Sequence, residues 1–120
     1  MTVYAGVPVC AAAKAELAHS GPQAGSVRVR LFCTRPVETK GRLDLAAAGA
    51  DARRAVEDSR TIGYIEARGP VTPFIRPILE EPEIALITDS SGAHGMAKVL
   101  DALRSSGDSE TPREAVWERW

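Results

Sequence analysis

Three stretches of the chain hold groups that could do chemistry. The first is Asp89-Ser90-Ser91-Gly92. Hydroxyls and free backbone N–H groups ahead of a helix form a ready anion site, because a helix start carries unpaired donors and partial positive charge. The simpler reading is that Asp89, Ser90 or Ser91 only caps the helix that follows. The second stretch is the loop Ala67 to Thr72, and the third is Val7-Pro8-Val9-Cys10. Cys10 stands where a helix begins, and a helix N-terminus lowers a thiol pKa and makes a nucleophile. A Cys-x-x-Cys redox pair would need a second cysteine at position 13, which is Ala. A small buried apolar residue is the simpler role for Cys10.

Other candidates are weaker. Gly92-Ala93-His94-Gly95 is a GxxG, the pattern with which one class of RNA-binding domain clamps a backbone. Here it follows a strand, and no basic groove accompanies it. No Ser-His-Asp arrangement forms around His19 or His94, and Arg53-Arg54 and Glu80-Glu81 read as exposed charges. Cys10 and Cys33 are too few for a disulfide framework, and their spacing is not that of metal ligands. No catalytic residue, metal site or cofactor is expected.

Bulk composition narrows the classes. A chain of 120 residues fits one domain, residues 1–120, with a core of its own. Fifteen basic and sixteen acidic side chains leave a net charge of −1, which argues against a nucleic-acid partner, and 5% aromatics leave little for base stacking. No apolar run approaches the ~20 residues of a membrane span, so no membrane insertion is expected. The start Met1-Thr2-Val3-Tyr4 lacks the features of a signal peptide. As written the chain reads as cytoplasmic, with an extracytoplasmic location expected instead if it is processed.

Patterning supplies the elements that must position these loops. Thr2 to Val7 reads as a strand, Pro8 sits where a helix could begin, and Cys10 to His19 is a strong helix former stopped by Gly21-Pro22. Val27, Val29 and Leu31 alternate with Arg28 and Arg30, giving a half-exposed strand through Cys33. Thr34 to Arg42 reads as loop, and Leu45 to Asp58 as an Ala-rich helix with Ala48, Ala52, Ala55 and Val56 on one face. Thr61 to Ala67 is a third strand, and a loop runs from Arg68 to Pro73. A short helix follows from Phe74 to Leu79, with Pro77 against it. Ile84 to Thr88 is a continuous apolar run, as in a strand buried on both faces. Met96 to Leu103 is an amphipathic helix, and Thr111-Pro112-Arg113-Glu114 opens a last one with a capping box. Alternating strands and helices predict an α/β fold. Its sheet should be three-layer, mostly parallel and flavodoxin- or Rossmann-like, with about four to five strands and helices on both faces.

From Val27 onward the order of motifs resembles a known family. A strand VRVRLFC is followed by Gly41-Arg42-Leu43-Asp44, then by a helix ending Ala52-Arg53-Arg54-Ala55 and by Asp58. A strand Thr61 to Ile65, then Pro77-Ile78-Leu79 and strand four, continue the match. The tail Gly95 to Leu103, then Gly107 and Arg113 to Val116, is similar to the C-terminal part. The family is the type 1 periplasmic-binding fold, the branched-chain amino-acid binding proteins of ABC transporters. Only Asp89 to His94 separates strand four from the returning helix, so the chain resembles lobe one with lobe two missing.

The resemblance implies a non-enzymatic module that binds an amino-acid-like small molecule, with Gly69, Pro70, Val71, Thr72, Asp89, Ser90 and Ser91 at the ligand. Thr72 matches a Ser or Thr that commonly binds the ligand carboxylate. The chain departs from the family at Glu66, where Gly is usual, and at Arg68, Pro70 and Pro73, where small residues are usual. One lobe cannot enclose a ligand, so a homodimer is expected to rebuild the cleft. The alternatives are a structural or protein-interaction domain without ligand, using Trp117 and Trp120, and a thiol-redox protein using Cys10.

Overall fold

The computed structural model describes residues 1–36, 41–88, 91–106 and 111–120, and the backbone alone of residues 38 and 39. Its elements in chain order are β1 (Thr2–Ala5), α1 (Val7–Ser20), β2 (Gln23–Ala24), β3 (Val27–Arg28) and β4 (Arg30–Cys33). Then come β5 (Glu38–Thr39), β6 (Arg42–Leu43), α2 (Leu45–Glu57), β7 (Thr61–Ile65) and α3 (Thr72–Glu80). β8 (Leu86–Ile87), α4 (Gly92–Ser105) and α5 (Pro112–Arg119) complete the chain.

Four strands form one sheet in the order β4-β1-β7-β8, and every pairing in it is parallel. β7 is buried at all five positions, as a central strand covered on both faces must be. One face packs against α1, α4 and α5, around Val3, Ile62, Ile65, Met96, Val99 and Leu100. The other packs against α2 and α3, around Tyr4, Ala52, Tyr64, Ile75 and Leu79. The α/β class, the three layers and the flavodoxin-like parallel sheet are those the alternating pattern predicts.

Local differences from the sequence reading have physical causes. The stretch Val27 to Cys33 is two strands, because β3 turns back on β2 as an antiparallel hairpin. Val29 lies between them, 2% exposed, and its N–H donates to the Pro22 carbonyl at 2.7 Å. The segment read as loop from Thr34 to Arg42 holds a second hairpin, β5 with β6. α1 starts where Pro8 points, and α3 and α4 start earlier than expected. α1 begins at Val7 with Pro8 in its first turn, and α3 at Thr72 with Pro73 in its first turn. Pro fits there because those N–H groups have no intrahelical acceptor. α4 begins at Gly92, so the GxxG of residues 92 to 95 is its first turn and no clamp loop. A Cβ on Gly92 would overlap the backbone carbonyl of Val9, so glycine is what lets α4 start against α1.

Candidate ligand-binding site

The strand order places one crevice. From β1 the chain crosses to β4 on one side, and from β4 it returns across β1 to β7 on the other. Loops leaving the carboxyl ends of β1 and β7 therefore diverge, which is where open α/β sheets bind ligands. A cavity of about 200 Å³ lies there. It is lined by Val7 and Pro8 after β1, Thr34 to Pro36 after β4, Leu43, and Glu66 to Val71 after β7.

Sheet hydrogen bonds continue one residue past the strands and fix the floor of this cavity. Thr34 N–H donates to Ala5 O at 2.9 Å, Gly6 N–H to Ile65 O at 2.9 Å, and Glu66 N–H to Ile87 O at 3.0 Å. Thr34, Gly6 and Glu66 thus stand side by side, two residues beyond the aromatic row Phe32, Tyr4 and Tyr64. Alternation along parallel strands puts both rows on the α2 and α3 face. Tyr4 contacts Phe32 with ring centroids 5.1 Å apart and stacks on Tyr64 at 6.1 Å. A Cβ on Gly6 would overlap the Glu66 carboxylate, so the missing side chain is the space into which Glu66 folds.

Two acids are buried here, and they differ in partners. Asp51, from the inner stripe of α2, is 3% exposed. It accepts from the Arg35 backbone N–H and from Arg35 Nε, both at 3.3 Å. Glu66 is 5% exposed, and its Oε1 accepts one hydrogen bond, from Ala67 N–H at 3.0 Å. No cationic side chain among the described residues pairs with Glu66. Burial holds the Glu66 carboxyl above the usual carboxylate range, the Ala67 N–H opposes this, and the Asp51 charge adds to it. The Tyr64 hydroxyl is also pushed up, by burial first and then by the charges of Glu66 and Asp51.

The residues expected at a ligand fall in four groups. Gly69, Pro70 and Val71 line the cavity. Thr72 is buried behind them and holds the loop together: its Oγ1 accepts from Gly69 N–H at 3.2 Å and donates to Ala67 O at 3.3 Å. Ser91 is the N-cap of α4, accepting from His94 N–H at 3.2 Å. Asp89 and Ser90 lie outside the described residues. Sequence reasoning did not select Thr34, Arg35 or Asp51 for the site. Asp51 was findable, because it follows Ala48 by three positions and precedes Ala55 by four, on the stripe that faces the core.

Cys10 and Cys33 form a disulfide, with Cα atoms 5.8 Å apart. Cys10 is buried, as expected, but as half of a cystine, so it offers no free thiol for redox or nucleophilic chemistry. The bond ties the first turns of α1 to the end of β4, beside the cavity wall formed by Pro8 and Thr34. Elsewhere, Trp117 is partly buried against the core and Trp120 is 44% exposed, with Lys98 Nζ 4.4 Å above its ring centroid. No helix among the described residues is long and apolar enough to cross a membrane. No family model, curated protein or solved structure matches the chain.

Proposed function

We propose that the chain is a non-enzymatic module that binds or senses a small, amino-acid-like molecule in the cavity at the carboxyl ends of β1, β4 and β7. It resembles a single lobe of an ABC-transporter solute-binding protein of the type 1 periplasmic-binding fold. The observation that carries this reading is the lining of the cavity. Apolar Val7, Pro8 and Leu43 share it with an acid, Glu66, and with basic Arg35 and Arg68. A zwitterion with a small apolar side chain matches charges of both signs beside apolar walls. The volume, about 200 Å³, lies below the ~300–1,000 Å³ of drug-sized pockets and suits a small metabolite.

Val7 and Leu43 are 46% and 37% exposed at the cavity mouth. A second copy facing this mouth buries them and closes the cleft that one lobe leaves open, which supports a homodimer as the working form. The disulfide supports work in an oxidising compartment rather than the cytoplasmic location suggested by the sequence.

The test is thermal unfolding and solution mass measured with each of the twenty L-amino acids. A ligand that binds the folded chain stabilises it by about 2.7 kcal/mol at a hundred times its Kd. One or a few amino acids should raise the melting temperature in a concentration-dependent way, and these should favour the dimer. A second reading is a scaffold or protein-interaction domain that has lost the ligand. It is favoured by Thr72 and Gly69, whose polar groups satisfy each other inside the loop, and by Pro70, which has no N–H. A chain that stays monomeric and unmoved by the whole panel supports that second reading.

A further inference from the structure

We propose that Glu66 is the receptor for a protonated amine, and that the cavity therefore selects ligands by their positive charge. The inference rests on the reading of this cavity as an amino-acid site. It deepens that reading by naming the group that discriminates.

The two buried carboxyls carry the argument. Asp51 has a cation, Arg35, at hydrogen-bond distance. Glu66 is buried to the same degree and receives only the N–H of its neighbour Ala67. A carboxylate has about four acceptor positions, and one is filled by a described residue. A buried charge without a partner is costly, and nearby cations or donors offset that cost. Glu66 lines the cavity, with its carboxylate set over Gly6, so the missing partner can come from a ligand. An ammonium group brings one positive charge and three N–H donors, which meets both needs.

The placement is built by the backbone. Glu66 N–H is fixed to β8, and its carboxyl lies over Gly6, where any other residue would displace it. Arg68 lines the same cavity two residues later, and no acid among the described residues pairs with it. Arg35 is held by Asp51, which leaves Arg68 to receive a ligand carboxylate. The repulsion of Glu66 turns that carboxylate toward Arg68, so one orientation of an α-amino acid is favoured.

The experiment is calorimetric titration at pH 7 of the full chain with L-alanine, L-valine and L-leucine. The 2-hydroxy acids of the same shapes serve as comparisons, in which a neutral hydroxyl replaces the ammonium. The expected result is that at least one amino acid binds and its hydroxy analogue binds about thirty-fold more weakly or worse, as when one partner of a buried charge pair is removed. Glu66→Gln should weaken the amino acid by a similar factor and leave the hydroxy acid nearly unchanged. If amino acid and hydroxy acid bind equally, or Glu66→Gln binds as the wild type does, the role of Glu66 is overturned while the binding module stands. If none of the three binds, the role of Glu66 falls, and the amino-acid module falls with it when the other seventeen also leave the melting temperature unmoved. The ligand comparison on the wild-type chain decides the matter even if the variant does not fold.

Discussion

The carboxylate of Glu66 occupies the space that a Cβ of Gly6 would need, although the two residues lie sixty positions apart. Parallel pairing of β1 with β7 aligns Ala5 with Ile65, and the next residue of each strand falls in the same row. Gly6→Ala forces the Glu66 carboxyl off its place over residue 6. Overpacking of this kind costs about 1–3 kcal/mol. The expected outcome is a lower denaturant midpoint with an unchanged m-value. A variant as stable as the wild type would mean that Glu66 does not use this niche.

The same carboxyl makes stability depend on pH in a defined direction. Its folded pKa is raised, by burial first, with the Asp51 charge adding. The folded state therefore holds the Glu66 proton more tightly than the unfolded state does. As pH rises from the unfolded carboxyl value through the raised folded value, the unfolded chain releases its proton first and folding stability falls. Glu66→Gln lacks this titration. In urea unfolding from pH 4 to 7, the variant should gain on the wild type as pH rises. A difference that is flat with pH, or that moves the other way, contradicts the burial of an unpaired carboxyl.

The disulfide closes a loop with a sequence separation of 23. Loop-closure entropy for that length corresponds to about 3 kcal/mol of stability. For a domain of this size such a loss lowers the melting temperature by roughly 10 °C. Cys33→Ser, or reduction of the wild type, should show a drop of that order. Because the bond lies beside Pro8 and Thr34, the proposed amino-acid binding should weaken along with stability. A melting temperature indifferent to reductant would show that the two cysteines are not joined in solution.

Much of the scaffold was legible because burial writes itself as period. The run Ile84 to Ile87 is fully buried, and Met96, Val99, Leu100 and Leu103 form the buried stripe of α4. What escaped were features set by partners far away in sequence. No local signal separates β3 from β4 at Val29, since that break depends on β2 folding back. The pairing of Cys10 with Cys33 depends on β1 and β4 being neighbours, which the order of elements alone does not give. At the site, the family resemblance pointed to Gly69, Pro70, Val71 and Thr72 after β7, of which the first three line the cavity while Thr72 is buried behind them. Glu66 also lines the cavity, with no cation paired to it among the described residues, and is noticed in the sequence only as a departure from the pattern.

One backbone position offers a gain rather than a loss. Glu83 has φ of 59°, the left-handed region, and is the only non-glycine residue with positive φ among those described. It sits just past the end of α3, where Glu83 N–H donates to Glu80 O and Ile84 N–H to Leu79 O, both at 2.9 Å. Those bonds close the helix, so the conformation is required by the cap and not by the side chain, which is exposed. A non-glycine residue costs about 1–2 kcal/mol in this conformation. Glycine recovers part of that while giving up some unfolded-state entropy, about 0.4–1 kcal/mol. Glu83→Gly should therefore raise stability by roughly 0.5–1 kcal/mol in denaturant unfolding, and Glu83→Asn by less. Glu83→Val should lower it, since a β-branched side chain is disfavoured there. If glycine destabilises and valine is neutral, α3 does not end in a left-handed cap.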